Sequence, residues 1–219
     1  MQITVPNEFQ PIGKFNIGCT AGIESDVCPG DWIEGVNRMN LTLVSSNHTK
    51  KYLNHLSLKK ENSQTNALES QIVLEKPVEV LFEGADTDIY KTIESHQIKT
   101  IDLDSIKEKF AYLFVGHWMD GDLGEDEKNV GLLVKAFLET FKNKTNKPAL
   151  ILKTAQVGSS YYDREEILKK IKKIKKTVNS NNLPNIYILH GDFTDEEMNE
   201  LYNHPKVKAM ISLTKGEGY

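Results

Sequence analysis

Lys128 stands immediately before a helix-patterned run, Val130 to Phe141, so its ammonium and the amide end of that helix would act on one anion together. Glu217 lies between Gly216 and Gly218. A carboxylate accepts hydrogen bonds from two adjacent hydroxyls at once, and flanking glycines let the backbone approach what carries them. His117 directly follows Gly116, the glycine that ends an apolar run. Imidazole is partly charged near neutrality and donates a hydrogen bond, but it cannot form a bidentate fork to phosphate. Near the start, Gly18-Cys-Thr-Ala-Gly-Ile-Glu24 follows a strand-like run, with Asp26 close behind. Glu24 has the chemistry to orient a hydroxyl or take its proton, and equally that of a solvent-facing loop carboxylate.

These groups must be held by a scaffold, and the second half of the chain has a regular one. Phe110–Val115 reads as a strand buried on both faces, and Ala149–Leu152, Ile186–Leu189 and Val207–Leu213 as further strands. Between them run helix patterns. The first carries Val130, Val134, Phe137, Leu138 and Phe141, and the second Ile167, Ile171, Ile174 and Val178 behind a capping box at Asp163-Arg-Glu-Glu166. A short third helix follows Thr194-Asp-Glu-Glu197 and ends near Pro205. Strands alternating with helices of this length predict a parallel sheet with crossover helices.

The first half is less regular. Strands are expected at residues 15–19, 41–44 and 78–82, helices around Trp32–Met39 and Tyr52–Leu56, and a polar loop at 59–69. The mixed polar stretch at 91–108 reads as a linker, giving an incomplete first domain at 1–90 and a second at 109–219. The chain stops in a loop with no helix after it, and its opening lacks a first strand–helix unit, so a fragment cut at both ends is expected.

Composition narrows the classes. The 219 residues are 39% apolar and 26% charged, enough for a real core. With 27 basic against 31 acidic side chains and a net charge of -4, no global basic surplus exists to hold nucleic acid. No apolar run approaches a membrane span, the start carries no secretory pattern, and Cys19 and Cys28 form no metal-type cluster, which points to a reduced cytoplasmic setting.

The order of motifs resembles the retaining nucleotide-sugar glycosyltransferases of family 4, the glycosyl transferases group 1. Four stretches carry the resemblance: Phe114-Val-Gly116 with Lys128 to Phe137; His190-Gly-Asp-Phe-Thr194 with Leu201-Tyr202; Lys215-Gly-Glu-Gly-Tyr219; and Leu81 to Asp86 with Tyr90. It implies an α/β fold of two Rossmann-like domains facing across a cleft, of GT-B type, with the N-terminal domain incomplete and the C-terminal domain truncated. It implies a donor site formed by Gly116, His117, Lys128, Asn129, His190, Gly191, Lys215, Gly216, Glu217 and Gly218, with Lys128 and Glu217 converging on one pocket. The catalytic group would be Lys128, Glu217 and, from the acceptor side, Glu24. The family commonly has arginine where His117 stands and phenylalanine where Tyr219 stands, and its second acidic residue would lie beyond Tyr219. An N-domain histidine near the reacting carbon is also usual; His48, His55 and His96 are the candidates.

The implied reaction moves a sugar from a nucleotide-sugar donor to a hydroxyl on a sugar, lipid or protein acceptor, with retention. A diphosphate leaving group builds negative charge, which a fixed cation and helix amides stabilise with no proton shuttle. No metal or other cofactor is expected, since Lys128 and those amides take the cation's place. The alternatives are a noncatalytic nucleotide-recognition module and a phosphate-binding regulatory domain with one continuous sheet. The remaining constellations read as scaffold. Counted as a calcium loop from Asp120, the acidic run Asp120, Asp122, Glu125, Asp126, Glu127 has Gly131 where the final glutamate belongs, which leaves a solvated loop. The lysines between Lys169 and Lys176 are the solvated complement of an isoleucine stripe, which favours a core-covering helix over a membrane surface. Tyr161-Tyr162 reads as loop packing, and Gly158-Ser-Ser160 lacks the Walker pattern.

Overall fold

The computed structural model describes residues 1–22, 27–61, 68–121, 123–156 and 158–215. They divide into two compact units, Met1–Gly84 and Ala85–Lys215.

In the first unit, β1 (Gln2–Ile3), β2 (Ile17–Thr20), β3 (Leu41–Val44) and β6 (Val78–Val80) form a parallel sheet in the order β1-β2-β3-β6. Helix α1 (Gly30–Asn37) contributes Ile33 and Val36, and α2 (Asn47–His55) contributes Leu53, to a core shared with Val44 and Val78. Ser46 caps α2, its side chain accepting from Thr49 N. The polar loop expected at 59–69 is instead the site of an antiparallel hairpin, β4 (Ser57–Glu61) with β5 (Leu68–Val73). Its lysines and glutamines hid the strands because a two-stranded ribbon exposes much of its surface and carries little apolar signal.

In the second unit, β7 (Ala111–Val115), β8 (Ala149–Lys153), β9 (Ile186–Leu189) and β10 (Val207–Met210) pair in parallel in the order β10-β7-β8-β9. Two separate parallel sheets exclude the single continuous sheet of the regulatory-domain alternative. One face of the second sheet presents Phe114, Leu150 and Leu152 to α3 (Val130–Phe141) and α4 (Tyr161–Thr177). The other presents Leu113, Ala149 and Ile151 to Leu201 of α5 (Asp195–Asn203) and to Leu103 and Ile106.

That second face corrects the linker reading. Residues 91–108 belong to the second unit and complete its third layer, with Leu103 and Ile106 each only 2% exposed. Apart from a single 3-10 turn at Ser95–Gln97 the segment is irregular, and several of its backbone amides are satisfied by α5. Lys91 N and Ile93 N donate to Asn199 Oδ1 and Asn203 Oδ1, and the amides of Lys99, Thr100 and Ile101 converge on Glu200 Oε2 at 2.8–3.2 Å. Burial opposes ionisation of Glu200, but the three amides outweigh it and hold its carboxyl below the usual range. Polarity here signals a side-chain clamp on irregular backbone.

Candidate functional site

In the second sheet the chain runs outward from β7 to β8 and β9, then crosses back to place β10 on the other side of β7. Loops leaving neighbouring strands in opposite directions open a crevice at their carboxyl ends, where open α/β sheets take ligands. Two loops flank this one: residues 116–129 after β7 and 211–215 after β10.

The first loop is shaped by one buried carboxylate. Asp126 is 2% exposed and its Oδ1 accepts from Val130 N at 2.9 Å, capping α3 from four residues upstream. The acidic run expected to be solvated is therefore in part structural: Asp126 is a cap, while Asp120 is exposed and pairs with Lys170 at 3.2 Å. Asn129 sits at the helix entrance in the left-handed region, φ 50°, which Asn tolerates better than most residues. Gly116 leaves β7 at φ 152°, a value that suits glycine, and its N–H donates to Lys153 O.

The two loops are laced together. Asn129 Nδ2 donates to Leu213 O at 2.9 Å, Lys215 N donates to Glu127 O at 3.1 Å, and Lys215 Nζ donates to Glu125 O at 2.9 Å. Asn129 Oδ1 is buried with no hydrogen-bond partner, an acceptor held at the junction itself. Lys128 Nζ lies 3.3 Å from Glu127 Oε1, with 22% of the lysine side chain and 63% of the glutamate exposed. A pair this open is worth under about 1 kcal/mol. His117 is exposed, eleven residues earlier in the same loop. The structure thus joins Asn129 and Lys215 at one junction next to Lys128, with Gly116 and His117 at the start of the same loop. Lys215 is there as a clamp whose ammonium holds a carbonyl.

His190 and Gly191 lie on the same edge but two strands away, beyond β8. His190 Nε2 is 2.7 Å from Asp163 Oδ2, with both side chains under a tenth exposed. Gln156 N donates to both oxygens of Asp163, at 2.9 and 3.1 Å. This overturns the expected capping box: Ser160 is the cap of α4, its side chain accepting from Asp163 N, and Asp163 turns inward. Lys153, at the end of β8, escaped sequence reasoning. Its Nζ donates to Gly191 O at 2.7 Å and sits 4.5 Å from the centre of the Phe193 ring. Burial pushes its pKa down, against the opposing pull of Asp192. The available signal was a lysine closing the run Ala149-Leu-Ile-Leu-Lys153.

In the first unit the residues at 21–29 also leave a carboxyl strand end, that of β2. Gly22 has φ 90°, and a β-carbon there would lie 2.2 Å from Thr49 Cγ2, so the turn admits only glycine. Glu24 and Asp26, like Gly216, Glu217, Gly218 and Tyr219, lie outside the described residues. Of the candidate histidines, His48 stands in the first turn of α2, just past the carboxyl end of β3, with its ring against Tyr52. His55 is at the far end of that helix, and His96 belongs to the second unit.

No protein-family model and no curated protein sequence matches the chain. Solved structures do. An α,α-trehalose 6-phosphate synthase from Burkholderia multivorans matches 92% of the chain at a TM-score of 0.56 and 11% identity. A trehalose-6-phosphate structure from E. coli bound with UDP-2-fluoro glucose matches 92% at 0.51 and 13% identity. A trehalose-6-phosphate synthase studied with bisubstrate glycomimetics, for glycosyl transfer with retention, matches 90% at 0.50. The fold is the GT-B fold. The chain spans 46–47% of the length of these GT-B structures, and at this identity the likeness is one of fold. Among the described residues no helix is long and apolar enough to cross a membrane, and no group of His, Cys, Asp and Glu has metal-ligating geometry.

Proposed function

We propose that the chain carries the donor-binding part of a retaining glycosyltransferase, one that moves a sugar from a nucleotide sugar to an acceptor hydroxyl. The observation that carries this reading is the laced junction of the loops after β7 and β10, which sets Lys128 at the entrance of α3 in a GT-B fold. There the ammonium and the first-turn amides other than Val130 N, which Asp126 holds, would meet the developing diphosphate charge, and Asn129 Oδ1 and His117 would serve the rest of the donor. On this reading Glu217 takes the donor-sugar hydroxyls, Glu24 and His48 stand on the acceptor side, and membership of family 4 rests on the motif order alone. His190 is assigned to holding the β9 loop, because its Nε2 is committed to Asp163. The diphosphate needs no divalent ion, so chelator leaves nucleotide affinity unchanged.

Titrating uridine and guanosine diphosphates by calorimetry into wild type and Lys128→Ala tests the phosphate role. Loss of one charge-assisted contact weakens binding about tenfold; equal affinity in both proteins removes Lys128 from it. His117, where a guanidinium would grip more firmly, favours a second reading as a nucleotide-recognition module without catalysis. Because the chain spans under half the length of the synthases it matches, we expect binding with little transfer by this chain. Assaying turnover of several nucleotide sugars separates the readings, robust transfer eliminating the second.

A further inference from the structure

The second sheet has two open edges, and they are guarded differently. At β10 the ladder shifts register between Val207 and Ala209, and Lys208 stands exposed on the strand. A broken register and a lysine keep an edge from pairing with another chain. At the opposite edge β9 is Ile186-Tyr-Ile-Leu189, with no charge and an unshifted register against β8. Leu150 N donates to Asn185 O, so the alternation of a parallel ladder turns the backbone groups of Tyr187 and Leu189 toward β8. Ile186 and Ile188 therefore turn their N–H and C=O groups to the open side. An unguarded row of this kind matches one class of occupant, an extended strand.

The groove along this edge has walls of opposite character. A hollow of about 300 Å³ follows all four residues of β9, with Arg164 and Leu168 of α4 on one face and Asp102, Leu103 and Ile106 on the other. By helical spacing Lys175 shares the flank of Arg164 and Leu168, with Lys172 next to it. Arg164 reaches Glu165 at 3.4 Å, but the side chains of Lys172 and Lys175 have no ion-pair partner among the described residues. The α4 wall is thus basic even with Arg164 paired. Across the strand, Asp102 accepts from Asp104 N, and Glu108 holds the Tyr187 hydroxyl and Asn185. Antiparallel pairing of β9 with a second copy would set α4 against α4, cation against cation. The walls fit instead a strand whose side chains alternate, acidic toward α4 and apolar toward Tyr187 and Ile106.

We infer that the β9 edge is a docking site for an extended polypeptide segment of alternating acidic and apolar residues, which adds a strand to the second sheet. The edge lies beyond β8 from the β7–β10 junction, so it is independent of the nucleotide reading.

The test uses the hexapeptide Glu-Val-Glu-Val-Glu-Val, blocked at both ends and read by the fluorescence anisotropy of an attached dye. One equivalent should bind saturably, and Lys-Val-Lys-Val-Lys-Val should bind about tenfold more weakly or worse. Replacing both Lys172→Gln and Lys175→Gln should weaken the acidic peptide by roughly fivefold. Ile188→Pro should abolish binding while the fold persists, because the N–H it removes lies outside the ladder. Should that variant fail to fold, methylated peptides carry the same test. N-methylation of the glutamate amides and of the valine amides should differ by about tenfold in effect, since one set faces β9 and the other faces solvent. Lys128→Ala should leave peptide binding unchanged, so failure here is distinct from failure of the nucleotide reading. Unsaturable binding, equal affinity for the acidic and basic peptides, equal affinity for the two methylated peptides, or full binding by a folded Ile188→Pro would each overturn the assignment. A dimer of the free chain that Ile188→Pro dissolves, seen by sedimentation, would overturn it too and give the edge to a second copy.

Discussion

Two ends of one sheet edge solve opposite problems with similar residues. At the β7–β10 end the cross-links run from the Lys215 amide and ammonium and the Asn129 amide to backbone carbonyls, and Lys128 and His117 belong to the same loop. At the β9 end the side chains are used up on one another and on the backbone: Asp163 takes His190 and Gln156 N, and Lys153 takes Gly191 O. The first loop takes its shape from Asp126, Asn129 and Lys215, so its exposed His117 can turn to a ligand without unmaking it. A loop held by buried side-chain pairs has no such freedom, since losing a partner strands a desolvated group. On the proposed function, the difference separates a binding end from a bracing end.

The largest expected effect would come at the bracing end. Asp163→Ala leaves His190 and the Gln156 amide without their acceptor and should cost about 3 kcal/mol in urea unfolding. Its effect on nucleotide affinity should be far smaller than that of Lys128→Ala. A crossed result, in which Asp163→Ala unfolds nothing but abolishes binding, would merge the two ends into one site. Next, Glu200→Ala removes the acceptor shared by three amides of the strap at 99–101 and should cost about 2 kcal/mol. Limited proteolysis should then cut within 91–108, and resistance there would return that segment to the status of an independent linker. The smallest effect involves His204, which accepts from Lys206 N at 3.1 Å. Burial, helped by Lys206, lowers its pKa against Asp104 and Asp102. The unfolded chain thus takes up the proton first: stability is full above the ordinary imidazole range and falls as pH drops through it. Substantial exposure limits the change to a few tenths of a kcal/mol. His204→Asn should flatten that part of the pH profile, and an unchanged profile would assign the acid sensitivity elsewhere.

What was legible beforehand follows periodicity. The capping box at Thr194 forms, with Thr194 Oγ1 and Glu197 satisfying each other's backbone amides, because both partners lie within one turn. The strands Leu41–Val44 and Ile186–Leu189 stand where their apolar runs placed them. Asp163 has the same local signature as a capping residue, yet Ser160 takes that role and a histidine 27 positions away claims the carboxylate. The strap at 91–108 likewise shows its two buried side chains only against a partner about a hundred residues distant.

The sequence by itself determined the alternation of strand and helix, the parallel sheets that follow from it, and the placing of Lys128 before a helix. Each of these is set by neighbours within a few residues, where side-chain period and capping chemistry act. Only the tertiary structure decided that β10 returns beside β7, that Asn129 and Lys215 tie the two loops there, and that Asp126 and Asp163 are buried. Those outcomes depend on which distant groups meet once the faces of the sheet are covered, and a carboxylate that caps, braces or faces water is the same residue until its partner arrives.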